Sequence, residues 1–255
     1  MSNKLSVCIE MIYSNLPLEE RIEKVAELGI KGVEFWGWQN KNLEKIEAKI
    51  KKSGLKLTAF TGSDHPLTDP EQSEAAVKDL EKAVEIAADI DSSNIIVTAG
   101  QEQEDISREI QHNNIIEVLQ EVAPAAEKEG VTLVLEPLNT AVDHQGYYLS
   151  SSHEGYEILN SVDSPRVKLL FDIYHQQITE GNIIENITGN IDLIGHFHLA
   201  DVPGRFEPGT GELNYPNIFS AIDKTDYTGY IGCEFRPSGS ATTALEKLLE
   251  MGEFE

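Results

Sequence analysis

The stretch TLVLEPLN, residues 132–139, is a short apolar run that ends in a carboxylate at Glu136 and is followed at once by a proline. Side chains alternate along a strand, so Thr132, Val134 and Glu136 share one face while Leu133 and Leu135 share the other. A run that is apolar on both faces suits a strand buried on both sides, as in a parallel sheet. A carboxylate at its end must then be paired, bound to a metal or open to a solvated mouth. The same design recurs downstream: VKLLFD ends at Asp172, IGHFH at His198 and YIGCE at Glu234. The intervals, about 26 to 36 residues, are those of one strand plus one crossover helix in a repeating β/α architecture.

Outward from these runs, strand and helix signals alternate along the chain. LSVCIEM (5–11) reads as a strand and PLEERIEKVAELG (17–29) as a helix with Pro17 in its opening turn and Gly29 as its stop. GVEFW (32–36), LKLTAF (55–60) and NIIVTAG (94–100) read as further strands, separated by helices over NLEKIEAKIKKSG (42–54) and residues 72–89. HNNIIEVLQEVAPAAEKEG, SHEGYEILNSV, NIIENI, NIFSAID and TTALEKLLEMG supply the later helices, and VKLLFDIY and IDLIGHFHLA the strands between them. Eight strands alternating with eight helices over 255 residues predict an α/β fold, a (β/α)8 TIM barrel, with residues 1–255 as one domain. The competing architecture is an open doubly wound sheet, but no GxGxxG or Walker-type loop follows an early strand.

The chain carries 44 acidic against 20 basic residues, a formal net charge of −24, which argues against nucleic acid or an anionic membrane as partner. The acids lie mostly on helix faces such as LEERIEKVAEL, as expected of a solvated surface; a salt-rich host cytoplasm is the alternative reading. No apolar run is long enough to span a bilayer and MSNKLSVCIEM is no leader peptide, so a soluble, cytoplasmic protein is expected. Cys8 and Cys233 are too few for a disulfide framework and are expected to be buried and reduced, near each other where the first and last strands meet.

In a barrel of parallel strands, the C-terminal mouth gathers residues from the ends of distant strands. Glu136, Asp172, His198 and Glu234 would there form one site of three carboxylates and an imidazole. Three oxygens and one nitrogen suit a hard or borderline divalent ion, Mn²⁺ or Mg²⁺ with Co²⁺ as a further option, rather than a thiolate-bound structural zinc. Such an ion can hold adjacent oxygens of a small hydroxy-carbonyl compound, polarise its C=O and stabilise an enediolate. Taken singly, Glu136 and Asp172 read equally well as structural ion pairs. His196, on the same strand face as His198, reads as a hydrogen-bonded core residue. Glu10 and Glu34, placed within strands, would satisfy buried polar neighbours. Trp36, Trp38 and His65 would either wall the mouth or pack the barrel top.

Four stretches carry a family resemblance: LEPLN (135–139), FDIYHQQITEGN (171–182), IGHFHLADVPGRFEPGTGELNYP (194–216) and GYIGCEFRP (229–237). They resemble the sugar-isomerase-like, or xylose isomerase-like, TIM barrels, and within them the hydroxypyruvate isomerase group. The resemblance implies a metal held by Glu136, Asp172, His198 and Glu234, with Glu136 and Glu234 also acting as the acid/base pair on opposite sides of the substrate. It places substrate contacts on His175 and Arg205, which by themselves read as a helix-start hydrogen-bonder and a loop charge. PGTGE (208–212) then reads as a glycine turn that positions Arg205. The implied reaction interconverts hydroxypyruvate and tartronate semialdehyde, and by analogy the protein would be a homo-oligomer.

Two departures bear on substrate. Hydroxypyruvate isomerases resemble a pattern with glutamine where this chain has His198, whereas the related ketose 3-epimerases use histidine. Those epimerases carry a second, sugar-binding glutamate where this chain has Val142; Asp143 and His144 either stand in for it or belong to the loop surface. Epimerisation of a ketose or another small-sugar isomerisation therefore remains the nearest alternative. An endonuclease IV-like phosphodiesterase and a non-enzymatic sugar-binding barrel are more distant.

Overall fold

The structure, a computed structural model, describes residues 3–254. Eight parallel strands close into a barrel in sequence order. They are β1 (Lys4–Cys8), β2 (Gly32–Phe35), β3 (Lys56–Thr61), β4 (Asn94–Thr98), β5 (Thr132–Glu136), β6 (Val167–Asp172), β7 (Ile194–Leu199) and β8 (Tyr230–Cys233). β8 returns to pair with β1, so no sheet edge is left open. Around the barrel lie α1 (Leu18–Glu27), α2 (Leu43–Ser53), α3 (Ser73–Asp89), α4 (Arg108–Glu129), α5 (Ser152–Val162), α6 (Ile173–Thr179), α7 (Ile183–Gly189), α8 (Tyr215–Ile222) and α9 (Ala241–Leu249).

The helix count exceeds the sequence expectation by one, because β6 stops at Asp172 instead of running on through Ile173 and Tyr174. The Asp172 carboxylate accepts hydrogen bonds from the Tyr174 and His175 N–H groups and caps α6. Such a cap satisfies donors that the first helical turn leaves orphaned, which outweighs the strand preference of two apolar residues. β1 likewise ends early, at Cys8, and Glu10 lies in the following turn rather than in a strand. There it pairs with Lys41 at 2.7 Å and Arg21 at 3.6 Å.

Alternation in β5 places Leu133 and Leu135 in the main core, under the helices, and Val134 inside the barrel. Val134 joins Ala59, Ile96 and Leu170 in a separate apolar cluster that fills part of the interior. Glu136 and Asp172 stand two residues further along the same strand faces, so that layer forms an apolar floor beneath them. The two cysteines lie on neighbouring strands, but register pairs Val7, not Cys8, with Cys233. Cys8 therefore faces the interior and Cys233 the helices, and both are free and buried. No helix among the described residues is long and apolar enough to cross a membrane.

Candidate active site

The strand ends deliver the four expected residues to one point. Single ligand atoms from Glu136, Asp172, His198 and Glu234 all lie within 4.8 Å of one another, and all four side chains are buried. His198 Nδ1 lies 3.4 Å from Glu136 Oε1 and 3.5 Å from Glu234 Oε2. Neither Glu136 Oε1 nor His198 Nδ1 has a hydrogen-bond partner. Buried polar atoms are rarely left unpaired, because each forfeits its hydration without compensation. Unpartnered atoms that converge from different strands fit a cation held among them, and the set of three carboxylates and one imidazole suits a divalent one.

The electrostatics agree. Counting Glu34, four buried carboxylates meet here, and among the described residues Arg205 is the only lysine or arginine within ion-pair distance of any of them. Arg205 binds Glu234 directly through Nη2 and lies 4.0 Å from Asp172. Burial alone would raise the Glu234 pKa, but Arg205 and His198 hold it well below the usual carboxylate range. Asp172 moves the other way: burial raises its pKa against the pull of Arg205 and His198. His198 resists charge through burial, yet Glu234 and Glu34 lift its pKa well above the ordinary imidazole value. The two glutamates differ in dress. Glu234 Oε1 accepts from the Trp36 indole N–H at 2.9 Å and the Cys8 thiol at 3.9 Å, whereas Glu136 Oε1 is bare.

His175 sits fully buried on the first turn of α6. Its Nδ1 accepts from the Asn139 backbone N–H at 3.2 Å, and the Asn139 side-chain amide nitrogen lies 2.7 Å away. A backbone N–H can only donate, so Nδ1 is the acceptor and the ring proton resides on Nε2. Nε2 is buried without a hydrogen-bond partner and lies 3.5 Å from Asp172 Oδ2. Burial and Arg205 depress the His175 pKa to about 3, so at neutral pH it offers a neutral N–H to the site.

Arg205 comes from the loop after β7, where it adopts φ 57 beside Gly204 at φ 100. The PGTGE turn does shape this loop, but through a residue that sequence reading passed over. The carboxylate of Asp201 accepts from the N–H groups of Gly209, Thr210 and Gly211 on Oδ2 and of Val202 and Leu213 on Oδ1. The Arg205 N–H in turn donates to the Asp201 carbonyl. Asp201 stands eight residues ahead of the Gly-Thr-Gly run, and the successive N–H groups of that run form an anion cradle that the fold closes around its carboxylate. Asn139 was missed as well: its Oδ1 closes a turn on the N–H groups of Val142 and Asp143.

Of the three residues expected to wall the mouth or pack its top, Trp36 alone contacts the site, half exposed with its N–H on Glu234. Trp38 donates to the Gly62 carbonyl, and His65 pairs with Gln72. Asp143 is exposed but accepts from the Tyr174 hydroxyl at 2.7 Å and the Asn139 amide at 3.0 Å, tying the β5 loop to α6. Glu212, on the rim, accepts from Gln177. His196 is the hydrogen-bonded core residue expected, and its partner is Glu34 at 2.9 Å.

Glu34 also gives the barrel an acid limit. Burial opposes its ionisation, yet His198 and His196 pull its pKa from 4.5 down to about 2. A depressed carboxylate adds stability that is present above its unfolded pKa and lost as the pH falls through its folded one. Urea midpoints of the cation-free protein are therefore expected to fall between about pH 4.5 and 2. Glu34→Gln should flatten that slope; an equal slope in both proteins would assign the acid sensitivity elsewhere.

Comparison with known proteins shows the family. The family model described as xylose isomerase-like TIM barrel matches residues 22–252. The chain belongs to that family. Among curated relatives of this xylose isomerase-like barrel, it is 33% identical to a 2-oxo-tetronate isomerase of Cupriavidus necator, over 93% of this chain and 94% of that protein. It is 29% identical to the hydroxypyruvate isomerase of Escherichia coli, over 95% of this chain and 96% of that one. Among solved structures, an AP endonuclease, family 2, from Brucella melitensis superposes with a TM-score of 0.92 at 26% identity, covering 99% of this chain and 100% of that one. With these relatives and this fold, the chain is an enzyme of the isomerase class, an intramolecular oxidoreductase.

Proposed function

We propose that this barrel isomerises a small hydroxy-keto acid by proton transfer through an enediolate, with hydroxypyruvate and tartronate semialdehyde as the leading pair. The observation that carries the reading is the convergence of Glu136, Asp172, His198 and Glu234 within 4.8 Å, with Glu136 Oε1 and His198 Nδ1 buried and lacking partners. In this reading those four residues hold a divalent cation, Mn²⁺ or Mg²⁺ with Co²⁺ as a further option. Bound there, the cation would supply Lewis acidity to the substrate carbonyl.

The remaining steps belong to the chain. One of the pair Glu136 and Glu234 takes a proton from the hydroxymethyl carbon, and the C–H electrons form the double bond of the enediolate. The hydroxyl proton passes to the former carbonyl oxygen, and the other glutamate returns a proton to the neighbouring carbon, leaving an aldehyde. Glu234, kept ionised by Arg205, is suited to the base role. His175 offers its neutral Nε2–H to a substrate oxygen that gains charge, a role that needs no imidazolium. Arg205 Nε is buried without a partner and fits a substrate carboxylate.

The relatives' names support a small keto acid: one is a 2-oxo-tetronate isomerase and one a hydroxypyruvate isomerase. Val142, 61% exposed, offers no hydrogen bond to a sugar hydroxyl, which disfavours ketose epimerisation. Phosphodiester hydrolysis, the activity in the Brucella structure's name, would need a basic track for its polyanionic substrate. A net charge of −24 speaks against one.

The test is a panel of hydroxypyruvate, 2-oxo-tetronate, tetruloses, pentuloses and hexuloses with EDTA-stripped protein and added Mn²⁺, Mg²⁺ or Co²⁺, run in D₂O. The expected result is turnover of a keto acid that depends on added cation, with the carbonyl shifted in the product. A labelled stereoisomer with its carbonyl in place would replace isomerisation by epimerisation. Full activity after stripping would refute the cation reading.

A further inference from the structure

Beneath the four converging residues lies a carboxylate outside their set. Glu34, on β2, is 1% exposed and has an imidazole on each oxygen. Its Oε2 bonds His196 Nε2 at 2.9 Å and accepts from the Thr58 hydroxyl at 3.2 Å. Its Oε1 lies 3.0 Å from His198 Nε2. That second contact is oblique rather than well aligned, but neither atom has any other partner, so each can be satisfied only by the other.

The consequence for His198 follows from donor and acceptor chemistry. An ionised carboxylate only accepts, so the His198 nitrogen that faces Glu34 must carry a proton. In a neutral ring, Nδ1 then has the lone pair, and Nδ1 is the atom that faces Glu136 and Glu234. The opposite tautomer would set a lone pair against Glu34 in a site closed to water. β8 keeps room for the contact: a Cβ on Gly232 would fall 2.3 Å from Glu34 Oε1 and 2.7 Å from His198 Cδ2.

We propose that Glu34 is the positioning residue of the cation site, fixing His198 in its Nε2–H tautomer with Nδ1 aimed at the cation, and that His196 anchors it from the opposite side. The proposal rests on the cation reading above. Outer carboxylates that orient a ligating imidazole typically govern metal affinity by about 10- to 100-fold. Glutamine cannot replace Glu34, because its one carbonyl oxygen serves one imidazole while its amide N–H₂ faces the other as a donor.

The experiment is calorimetric titration of the EDTA-stripped full chain with Mn²⁺, for the natural sequence and for Glu34→Gln, with circular dichroism on both. The expected result is a drop in Mn²⁺ affinity of about 10- to 100-fold in Glu34→Gln with the fold retained, and recovery of part of it in Glu34→Asp. Long-range ¹H–¹⁵N spectra of the unmutated protein with Mg²⁺ supply a readout that needs no variant. They should show His198 protonated at Nε2 and bare at Nδ1. A proton on Nδ1, or an Mn²⁺ affinity unchanged in folded Glu34→Gln, would overturn the role of Glu34 and leave the cation reading intact. Failure of the unmutated protein to bind any of the three cations would remove both.

Discussion

Glu234→Gln is expected to lower kcat by about 10²- to 10⁴-fold, the range over which a positioned acid or base acts, while the protein still takes up Mn²⁺. Glutamine keeps the length of the side chain and one oxygen for a cation, but it cannot accept a proton from carbon. With that oxygen turned to the cation side, where Glu234 Oε2 stands, its amide N–H₂ faces the Trp36 indole N–H, which loses the acceptor it has at 2.9 Å. What disappears is the basic oxygen that Arg205 keeps ionised. The measurement is steady-state turnover beside Mn²⁺ uptake by calorimetry on the same preparation. Unchanged turnover would remove Glu234 from proton transfer, and lost turnover with lost uptake would make it a ligand alone.

A comparable loss is expected at a residue that touches no substrate. Asp201→Asn should lower stability by about 3 kcal/mol or more, since each buried donor left unpaired costs about 1–3 kcal/mol. Five backbone N–H groups converge on this carboxylate, three on Oδ2 and two on Oδ1. An amide in either flip presents its NH₂ to one of these groups, so at least two donors lose their acceptor. The space cannot simply close: a Cβ at Gly211 would already lie 2.1 Å from the Val202 carbonyl oxygen, so the loop is packed against itself. Arg205 hangs from the same loop, its N–H on the Asp201 carbonyl and its carbonyl accepting from Arg236. Turnover should therefore fall together with the urea midpoint. A variant with an unchanged midpoint would show that the loop holds its shape without the charge.

The contrast between these two residues explains how much of the molecule was legible in advance. Glu234 announces itself, because an acidic residue at the end of an apolar strand has few inexpensive explanations and three other strand ends repeat the pattern. Asp201 does not. Its neighbours in the sequence are an alanine and a valine, and its partners are backbone N–H groups up to twelve residues away, which no side-chain pattern records. Asn139 was hidden for the same reason, and Glu34, read as satisfying buried polar neighbours, gave no sign of which neighbours those are. Each acts on a histidine that the fold brings close from far along the chain, His175 at a separation of 36 residues and His196 at 162. The extra helix escaped because Asp172 is at once a strand end, a cap and a site residue, and residue-by-residue reading assigns only one of these.

By itself the sequence determined the β/α alternation, the eight strands of the barrel and the identity of the four polar residues at its mouth. These are consequences of local periodicity and of the cost of burying charge, and both act on neighbouring residues. Only the tertiary structure decided which atoms of those residues meet, which nitrogen of His198 and of His175 faces inward, and that Arg205 leans on Glu234. Those outcomes depend on barrel closure, which sets β2, β5, β6, β7 and β8 around one axis and lets hydrogen-bond donors and acceptors from distant segments select each other.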